Sequence, residues 1–253
     1  MELLEILKNV SKGLVFTDLH TEIETIGVRT KKPYLLGVPT MGEETFVSEL
    51  FKWWDAKEPN PNWYQLEVPY PNQNRRKCDV LFGGDPSNRE WAIEFKRLQF
   101  FGDNGKRNDH GVQKMLSPYE KDRSLLHDIL RLQKCGMAKR YAVIGYAFSY
   151  SLELCEQALI YHPTKAERIN EIRKVCRMQK EDNGELDPIR MANYADLLFQ
   201  KEGLVSPMEA VQFSGAWRHP CGGNGLIFGW EVRPMQLFSP PALRPHQETQ
   251  DSF

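Results

Sequence analysis

Two acidic residues and one lysine stand at spacings that suit the hydrolysis of a phosphodiester. Asp79 lies within one short β-like run, and Glu94 and Lys96 lie within the next. Side chains alternate between the two faces of a strand, so Glu94 and Lys96 must share a face. If the two runs pair across the turn formers at 83–88, Asp79 lies opposite residues 92–94. The sequence therefore predicts that these three side chains converge on one face of a sheet.

Two carboxylates that converge in this way need a compensating cation. Like charges held close together are costly, and Mg²⁺ prefers carboxylate, carbonyl and water oxygens. Mg²⁺ bound there would polarise a phosphodiester and lower the pKa of the attacking water. Lys96 would orient or deprotonate that water and neutralise part of the developing charge. The predicted cofactor is Mg²⁺, with Mn²⁺ as a substitute.

Four β-like runs are predicted around these residues. Three of them cover residues 63–70, 77–82 and 90–98, and the turn formers at 83–88 separate the last two. The fourth run, Arg140–Phe148, is nearly all apolar, which is typical of a strand buried on both faces. We expect the first three runs to form a meander.

Two helices are predicted, one before the meander and one after it. The first begins at the capping-box pattern of residues 40–43 and carries apolar residues at helical spacing as far as Trp54. The second begins at a similar pattern, residues 117–120, and ends at Gly136. The order over residues 40–148 is therefore helix, strand, strand, strand, helix, strand, which makes an α/β unit of the size of one modest domain.

This element order and the acidic motif resemble the PD-(D/E)xK nuclease superfamily, which includes many restriction, recombination and repair nucleases. The motif of that superfamily is an Asp on one strand, then Glu or Asp, any residue and Lys on the next. Asp79 and the run Glu94-Phe-Lys96 match it. The resemblance covers roughly residues 40–148 and implies an α/β fold with a restriction-endonuclease-like αβββαβ core, in which helices flank a small mixed sheet.

The resemblance also implies roles for individual residues. Asp79 and Glu94 would be metal ligands, Lys96 would be the catalytic lysine, and the backbone carbonyl of Phe95 would be a further ligand. The sequence departs from the pattern at Cys78, which stands where the first motif often has Pro. That position varies within the superfamily, so the assignment of Asp79 is little affected.

An acid of the first predicted helix and several polar residues complete the expected site. Glu43 falls within the apolar stripe that faces the sheet, so it is either a third acid of the metal site or only a member of the capping box. Substrate contacts are predicted for four residues near the motifs: Arg75, Arg76, Lys77 and Gln113. The alternative for each of these four is an ordinary solvated side chain.

The overall composition limits the class of protein. The 253 residues include 33 Lys and Arg and 34 Asp and Glu, a formal net charge of −1, so any basic surface for nucleic acid must be local. No apolar run approaches the roughly 18 residues that span a bilayer, and the opening residues lack the features of a secretory signal. The five cysteines include no C-x-x-C pair, which argues against structural zinc and a disulfide framework. We expect a cytoplasmic protein that does not bind a membrane.

Four segments are predicted along the chain. They are an N-terminal extension packed on the core (1–39), the nuclease core (40–150), a C-terminal helical and β extension of the same globular body (151–238) and a flexible Pro-rich tail (239–253). Within the C-terminal extension, helices are predicted at 152–161 and 166–178, and late strands at Phe213 and 226–232.

The predicted function is that of a Mg²⁺-dependent endonuclease that hydrolyses DNA phosphodiester bonds, in restriction, phage-related or mobile-element cleavage. DNA is the implied partner, and many nucleases of this type act as homodimers. Two alternatives stay open. One is a catalytically inactive module of the same fold that binds nucleic acid or a protein. The other is a structural or regulatory protein unrelated to nucleases, which is favoured if Asp79 and Glu94 point to opposite faces of the sheet.

Overall fold

The β-like runs of the sequence become the strands of one six-stranded mixed sheet flanked by helices. The computed structural model describes most of the chain before residue 152 and much of the region after residue 187. The described residues are 1–24, 26, 31, 33–59, 63–71, 73, 76–98, 112–117, 119, 123–151, 185–186, 188–219 and 222–234.

The strands lie close to where alternation and turn formers predict them. They are β1 (Tyr64–Pro69), β2 (Lys77–Asp85), β3 (Asn88–Leu98), β4 (Arg140–Phe148), β5 (Tyr150–Ser151), β6 (Glu185–Leu186), β7 (Glu209–Ala216) and β8 (Gly223–Glu231). Six of them form the main sheet in the order β1-β2-β3-β4-β8-β7, while β5 pairs with β6. Only the β3–β4 pair of the main sheet is parallel. The meander and the late strands are therefore confirmed, and the late strands extend the same sheet.

The described helices flank this sheet. They are α1 (Leu3–His20), α2 (Glu43–Lys57), α3 (Val112–Leu116), α4 (Leu125–Cys135) and α5 (Pro188–Lys201), with a short 3₁₀ helix at Val38–Thr40. Gly136 follows α4 with a left-handed backbone, φ 62°, as expected of a residue that ends a helix.

The first core helix begins two residues later than the capping-box pattern predicts. The helix α2 begins at Glu43, and Gly42 precedes it without a side-chain cap. Thr40 belongs to the 3₁₀ helix, and its hydroxyl donates to the carbonyl of Leu35 at 2.6 Å. The capping-box pattern is not used because the Thr40 hydroxyl finds an acceptor in the preceding loop.

The predicted start of the second core helix is also wrong. The helix α4 begins at Leu125, where Ser124 is the N-cap and accepts from the His127 amide at 3.4 Å. The Ser124 hydroxyl also donates to the carbonyl of Ser117 at 2.8 Å. Ser117 therefore does not begin the helix, but its carbonyl holds the N-cap residue Ser124 in place.

The helix α1 packs on the late strands and on α2. It lies in residues 1–39, which were predicted to pack on the core without an assigned secondary structure. Its buried residues recur at helical spacing: Leu3, Ile6, Leu7, Val10, Leu14 and Thr17. Gly13 lies where α1 meets α2, and a Cβ at this position would stand 2.3 Å from Cδ1 of Leu50. The absence of a side chain at Gly13 thus permits the close approach of the two helices.

The strand β4 runs through the centre of the main sheet, parallel to β3 and antiparallel to β8. Its residues from Ala142 to Phe148 are all buried, in agreement with the predicted strand buried on both faces. Gly145 of this strand faces the ring of Phe228, which lies 2.3 Å from where a Cβ would be. Within the described residues, no helix combines the length and the apolar character that a membrane crossing requires.

Several predictions fall outside the described residues. These are the two helices at 152–161 and 166–178, the tail at 239–253 and the side chain of Arg75.

Candidate active site

The hairpin of β2 and β3 brings Asp79 and Glu94 to the same face of the sheet. Val80 pairs with Ile93, and the same register continued by one residue sets Asp79 opposite Glu94. The amide of Phe95 donates to Oδ2 of Asp79 at 2.6 Å. Residues opposite each other in an antiparallel pair project to the same side. The two acids therefore do not point to opposite faces, which was the arrangement expected of a protein unrelated to nucleases.

A cleft of about 380 Å³ opens above these two acids. The residues that line it are Glu43, Glu67, Arg76, Lys77, Asp79, Glu94, Lys96, Lys114, Arg123 and Arg131. The structure thus brings together the predicted acids, the predicted lysine and two of the predicted substrate-binding residues. We refer below to these ten residues as the cleft.

Burial makes the two opposed carboxyl groups hard to ionise together. It raises the pKa of Asp79 to about 7, although the Phe95 amide and the charge of Lys96 act in the other direction. The pKa of Glu94, which is 3% exposed, is raised well above its ordinary range by burial and by the charge of Asp79. A cation between the two groups would favour both ionised forms.

Glu94 is held by two residues in addition to its strand. The phenol of Tyr70 donates to Oε1 of Glu94 at 2.5 Å. Burial and the charge of Glu94 raise the pKa of Tyr70 far above its ordinary value, so the phenol keeps its proton and remains a donor. A guanidinium nitrogen of Arg131, Nη2, lies 3.7 Å from the same carboxylate oxygen. One oxygen of Glu94 is therefore fixed from two sides.

Lys96 lies between two carboxylates that come from different helices. Its Nζ is 3.2 Å from Oδ2 of Asp128 in α4 and 3.5 Å from Oε2 of Glu43 in α2. Burial lowers the pKa of Lys96, but these two charges outweigh burial and raise that pKa above its ordinary value. Lys96 therefore carries a positive charge in this arrangement.

Glu43 faces the sheet, as the helical stripe predicts. Its Oε1 accepts from the amide of Arg97 at 3.2 Å, while its Oε2 contacts Lys96. The two readings left open for Glu43 were a third acid at the site and a capping-box residue. Glu43 lines the cleft and α2 has no side-chain cap, so Glu43 is an acid of the site, but among the described residues it contacts Lys96 and does not form a three-acid metal group.

The oxygen donors of this cleft fit a Mg²⁺ ion. Among the described residues, no three His, Cys, Asp or Glu side chains form a group that could hold a metal. Mg²⁺ usually keeps several waters, however, and takes only one or two carboxylates. Oδ1 of Asp79 and Oε2 of Glu94 receive no hydrogen bond from the described residues. The Phe95 amide points towards Asp79, and within a strand the carbonyl of the same residue points to the same side. Asp79, Glu94 and the Phe95 carbonyl would therefore hold the ion.

Basic residues outnumber acids around the cleft, although the chain as a whole is nearly neutral. Lys77 pairs with Glu67 at 3.4 Å. Lys114 and Arg123 lie within ion-pair distance of no described carboxylate. The pKa of Lys114 is lowered by burial and by the charge of Lys96, which indicates a second cation close to the first. Such a rim suits a phosphate-bearing ligand.

The remaining predicted substrate-binding residues are only partly located. Arg76 lines the cleft beside Lys77. The backbone of Gln113 belongs to α3, next to Lys114, but its side chain lies outside what the structure describes. Arg75 lies outside the described residues altogether.

Three residues of the site are missed by sequence reasoning: Tyr70, Asp128 and Arg131. A signal for Asp128 exists, because it stands three residues after Leu125 and four before Leu132, on the apolar stripe of α4. An acid at such a position is costly unless it has a partner. Arg131 follows Asp128 by three residues, a spacing that favours an ion pair on a helix. For Tyr70 we find no local signal, since its partner Glu94 is distant along the chain.

Comparisons of this chain with protein-family models, with curated proteins and with solved structures find no significant match.

Proposed function

We propose that this protein is a cytoplasmic, Mg²⁺-dependent endonuclease that hydrolyses DNA phosphodiester bonds and has a restriction-endonuclease-like αβββαβ core. The observation that carries the proposal is the meeting of Asp79, Glu94 and Lys96 at one cleft, with the two acids directly opposed on paired strands. Structural ion pairs rarely need two opposed buried acids, because such a pair is destabilising without a cation.

The order of elements supports the same proposal. From α2 through β1, β2, β3 and α4 to β4, the chain follows the helix–strand–strand–strand–helix–strand order of that core, with α3 inserted before α4. The three strands of the meander are antiparallel, and the fourth joins them in parallel, as in a mixed sheet. The restriction-like core remains a proposal that rests on this order and on the motif.

The residues of the cleft divide the work of hydrolysis between them. A bound Mg²⁺ would polarise the phosphodiester and lower the pKa of the attacking water. Lys96 is charged, so it donates to the water or to a phosphate oxygen and neutralises developing negative charge. Glu43 keeps Lys96 in the cleft through their 3.5 Å contact. Lys77 and Lys114 lie on the rim, where they would hold phosphates beside the scissile bond.

Three single substitutions test the proposal. Plasmid, linear and single-stranded DNA are incubated with the parent protein and with Asp79→Asn, Glu94→Gln or Lys96→Met, in Mg²⁺, Mn²⁺ or EDTA. We expect the parent to cut DNA only with a divalent ion, and each variant to lose at least about 100-fold in rate, because each lacks a ligand or the catalytic cation.

A matched control separates loss of chemistry from loss of fold. Glu90→Gln changes another acid of β3, one that pairs with Lys139 outside the cleft at 3.9 Å. We expect this control to cut DNA like the parent, and circular dichroism to show all four variants folded. If the three cleft variants cleave DNA as fast as the parent does, the proposal is wrong.

A second candidate function is a module of the same fold that binds nucleic acid or a protein without cutting. It is favoured by Arg131, which lies 3.7 Å from Glu94 and so supplies positive charge to the site without a metal. Isothermal titration calorimetry with Mg²⁺ and Mn²⁺ distinguishes the two functions. A binding module gives no heat that depends on Asp79 and Glu94, whereas the endonuclease does.

A homodimer on DNA is a further part of the proposal, since two active sites are needed to cut both strands at once. Sedimentation of the Asp79→Asn variant with and without duplex DNA measures it. We expect two copies of the chain in the DNA complex, and a complex with a single copy would contradict the dimer alone.

A further inference from the structure

The helix α4 carries a buried acid that holds two cations of the site at once. Asp128 has no exposed surface. Its Oδ1 contacts a guanidinium nitrogen of Arg131, one turn further along the helix, and its Oδ2 lies 3.2 Å from Nζ of Lys96. The second contact is an ion pair without the alignment of a hydrogen bond. Each oxygen of Asp128 is thus committed to one cation.

Both cations also contact other acidic residues of the cleft. Arg131 reaches Oε1 of Glu94 at 3.7 Å, and its guanidinium lies 5.8 Å from the ring centre of Tyr70. Lys96 reaches Glu43 on its other side. Asp128 therefore links Glu94 and Lys96 from α4, although it does not itself line the cleft.

Packing alone gives no reason for an acid at this position. Asp128 lies on the stripe formed by Leu125, Ile129 and Leu132, which are all fully buried. A well-packed apolar residue often replaces a buried ion pair without loss of stability, because ionised groups lose their hydration on burial. Because a buried ionised Asp128 costs stability, we infer that it has a functional role at the site.

We propose that Asp128 and Arg131 are a positioning pair that sets the orientation of Lys96 and the cation affinity of Asp79 and Glu94. The inference rests on the proposed function. Arg131 and a divalent ion both interact with Glu94, so the guanidinium weakens metal binding by repulsion. Asp128 draws the guanidinium towards itself and away from Glu94, so the acid strengthens metal binding.

Opposite effects of the two substitutions test this pair. Mg²⁺ and Mn²⁺ affinities are measured by calorimetry for the parent, Asp128→Asn, Arg131→Met and the double variant. We expect Asp128→Asn to bind about tenfold more weakly, as is typical for a partner behind a metal ligand. We expect Arg131→Met to bind about 15-fold more tightly, the effect of removing one unit charge roughly 5 Å from a divalent ion in a water-like dielectric. The double variant should lie between the two.

Cleavage kinetics supply a second readout. Asp128→Asn should lower kcat for DNA cleavage about tenfold and leave KM nearly unchanged, because Lys96 is displaced while the rim of the cleft is intact. Glu49→Gln and Lys52→Met are matched controls, since these residues form an ion pair of the same spacing on α2, with their charged groups 2.6 Å apart. Both controls should keep the affinity and rate of the parent.

The outcomes separate this inference from the proposed function. If the parent binds neither ion, the proposed function fails and the inference fails with it. If the parent binds metal but both variants bind it equally well, or both bind it more weakly, the pair has no role or only a structural one, and the inference alone is overturned. Thermal unfolding of each variant shows which of them are folded.

Discussion

The phenol of Tyr70 donates a hydrogen bond of 2.5 Å to one carboxylate oxygen of Glu94. The other oxygen of Glu94 stays available to a ligand in the cleft. A carboxylate with both oxygens mobile would lose rotational freedom whenever it bound a metal. The fixed orientation removes part of that entropic cost in advance. Neighbours that hold a ligand in this way commonly change metal affinity or activity 10–100-fold when they are removed.

Tyr70→Phe is therefore expected to lower DNA cleavage about tenfold and to weaken Mn²⁺ binding by a similar factor. The change deletes only the hydroxyl that donates to Glu94. Cleavage rates and calorimetry measure the two effects. Tyr64→Phe is the control, because Tyr64 begins the strand that Tyr70 follows but packs against Phe51 and Trp63. Equal losses in the two variants would contradict the role assigned to Tyr70.

At this scale, the sequence reveals those contacts that depend on strand alternation. Glu94 and Lys96 share a face in any strand, and a short turn is enough to set Asp79 opposite Glu94. The contacts of Asp128 and Tyr70 depend instead on how α4 and the residue that follows β1 approach β3. No local pattern encodes that approach, so these residues could not be assigned from the sequence.

The crossing of α1 and α2 depends on one small residue. A Cβ on Gly13 would stand 2.3 Å from Leu50 and within 3 Å of the ring of Trp53. In an exposed helix, Gly→Ala gains about 1 kcal/mol of helix propensity. At a tight helix crossing, overpacking costs about 1–3 kcal/mol and outweighs that gain.

Gly13→Ala is expected to lower the free energy of unfolding by about 1 kcal/mol, and Gly13→Val by more, because Val adds two methyl groups to the same contact. Urea denaturation followed by circular dichroism measures both. Lys12→Ala, at an exposed position of α1, should change stability by less than about 0.5 kcal/mol. If the Gly13→Ala protein is more stable than the parent, the contact between α1 and α2 can accommodate a Cβ at this position, and the prediction is wrong.

The elements themselves were predicted unevenly. All four strands of residues 63–148 were identified, because alternation and apolar runs extend over their whole length. The starts of α2 and α4 differ from the prediction because capping-box patterns also occur in loops. The Thr40 hydroxyl donates to the carbonyl of Leu35, and the Ser117 hydroxyl accepts from the amide of Tyr119, so neither caps a helix. The helix α1 was missed because no side-chain cap marks its start.

Charge is distributed unevenly over the whole molecule. The formal net charge is −1, yet six of the ten residues that line the cleft are basic. Association with a polyanion releases counterions in proportion to the phosphates that are contacted. The local rim, rather than the net charge, should therefore govern how DNA binding depends on salt.

Lys114→Ala and Arg123→Ala are each expected to reduce the salt dependence of DNA binding, lowering the slope of log K against log[salt] by about 1. The measurement is a titration of duplex DNA in the Asp79→Asn background, at about 50–200 mM salt. Lys201→Ala, an exposed position at the end of α5, should leave the slope unchanged. Unchanged slopes in both cleft variants would place the bound DNA elsewhere.

The arrangement of the late strands was beyond sequence reasoning. Patterns predict β7 and β8 as strands, but not that β8 pairs with β4 and enlarges the sheet to six strands. That pairing joins residues far apart along the chain, and its register follows from side-chain packing, such as the contact of Phe228 with Gly145.

The packing of α1 on β7 and β8 makes the first helix of the chain depend on its last described strands. During synthesis, α1 leaves the ribosome long before Glu209–Ala216 exists to cover its apolar stripe. Until then, Leu7 and Val10 face solvent or other chains. Until β7 and β8 have been synthesised, the apolar stripe of α1 is therefore an exposed surface through which growing chains would aggregate or bind chaperones.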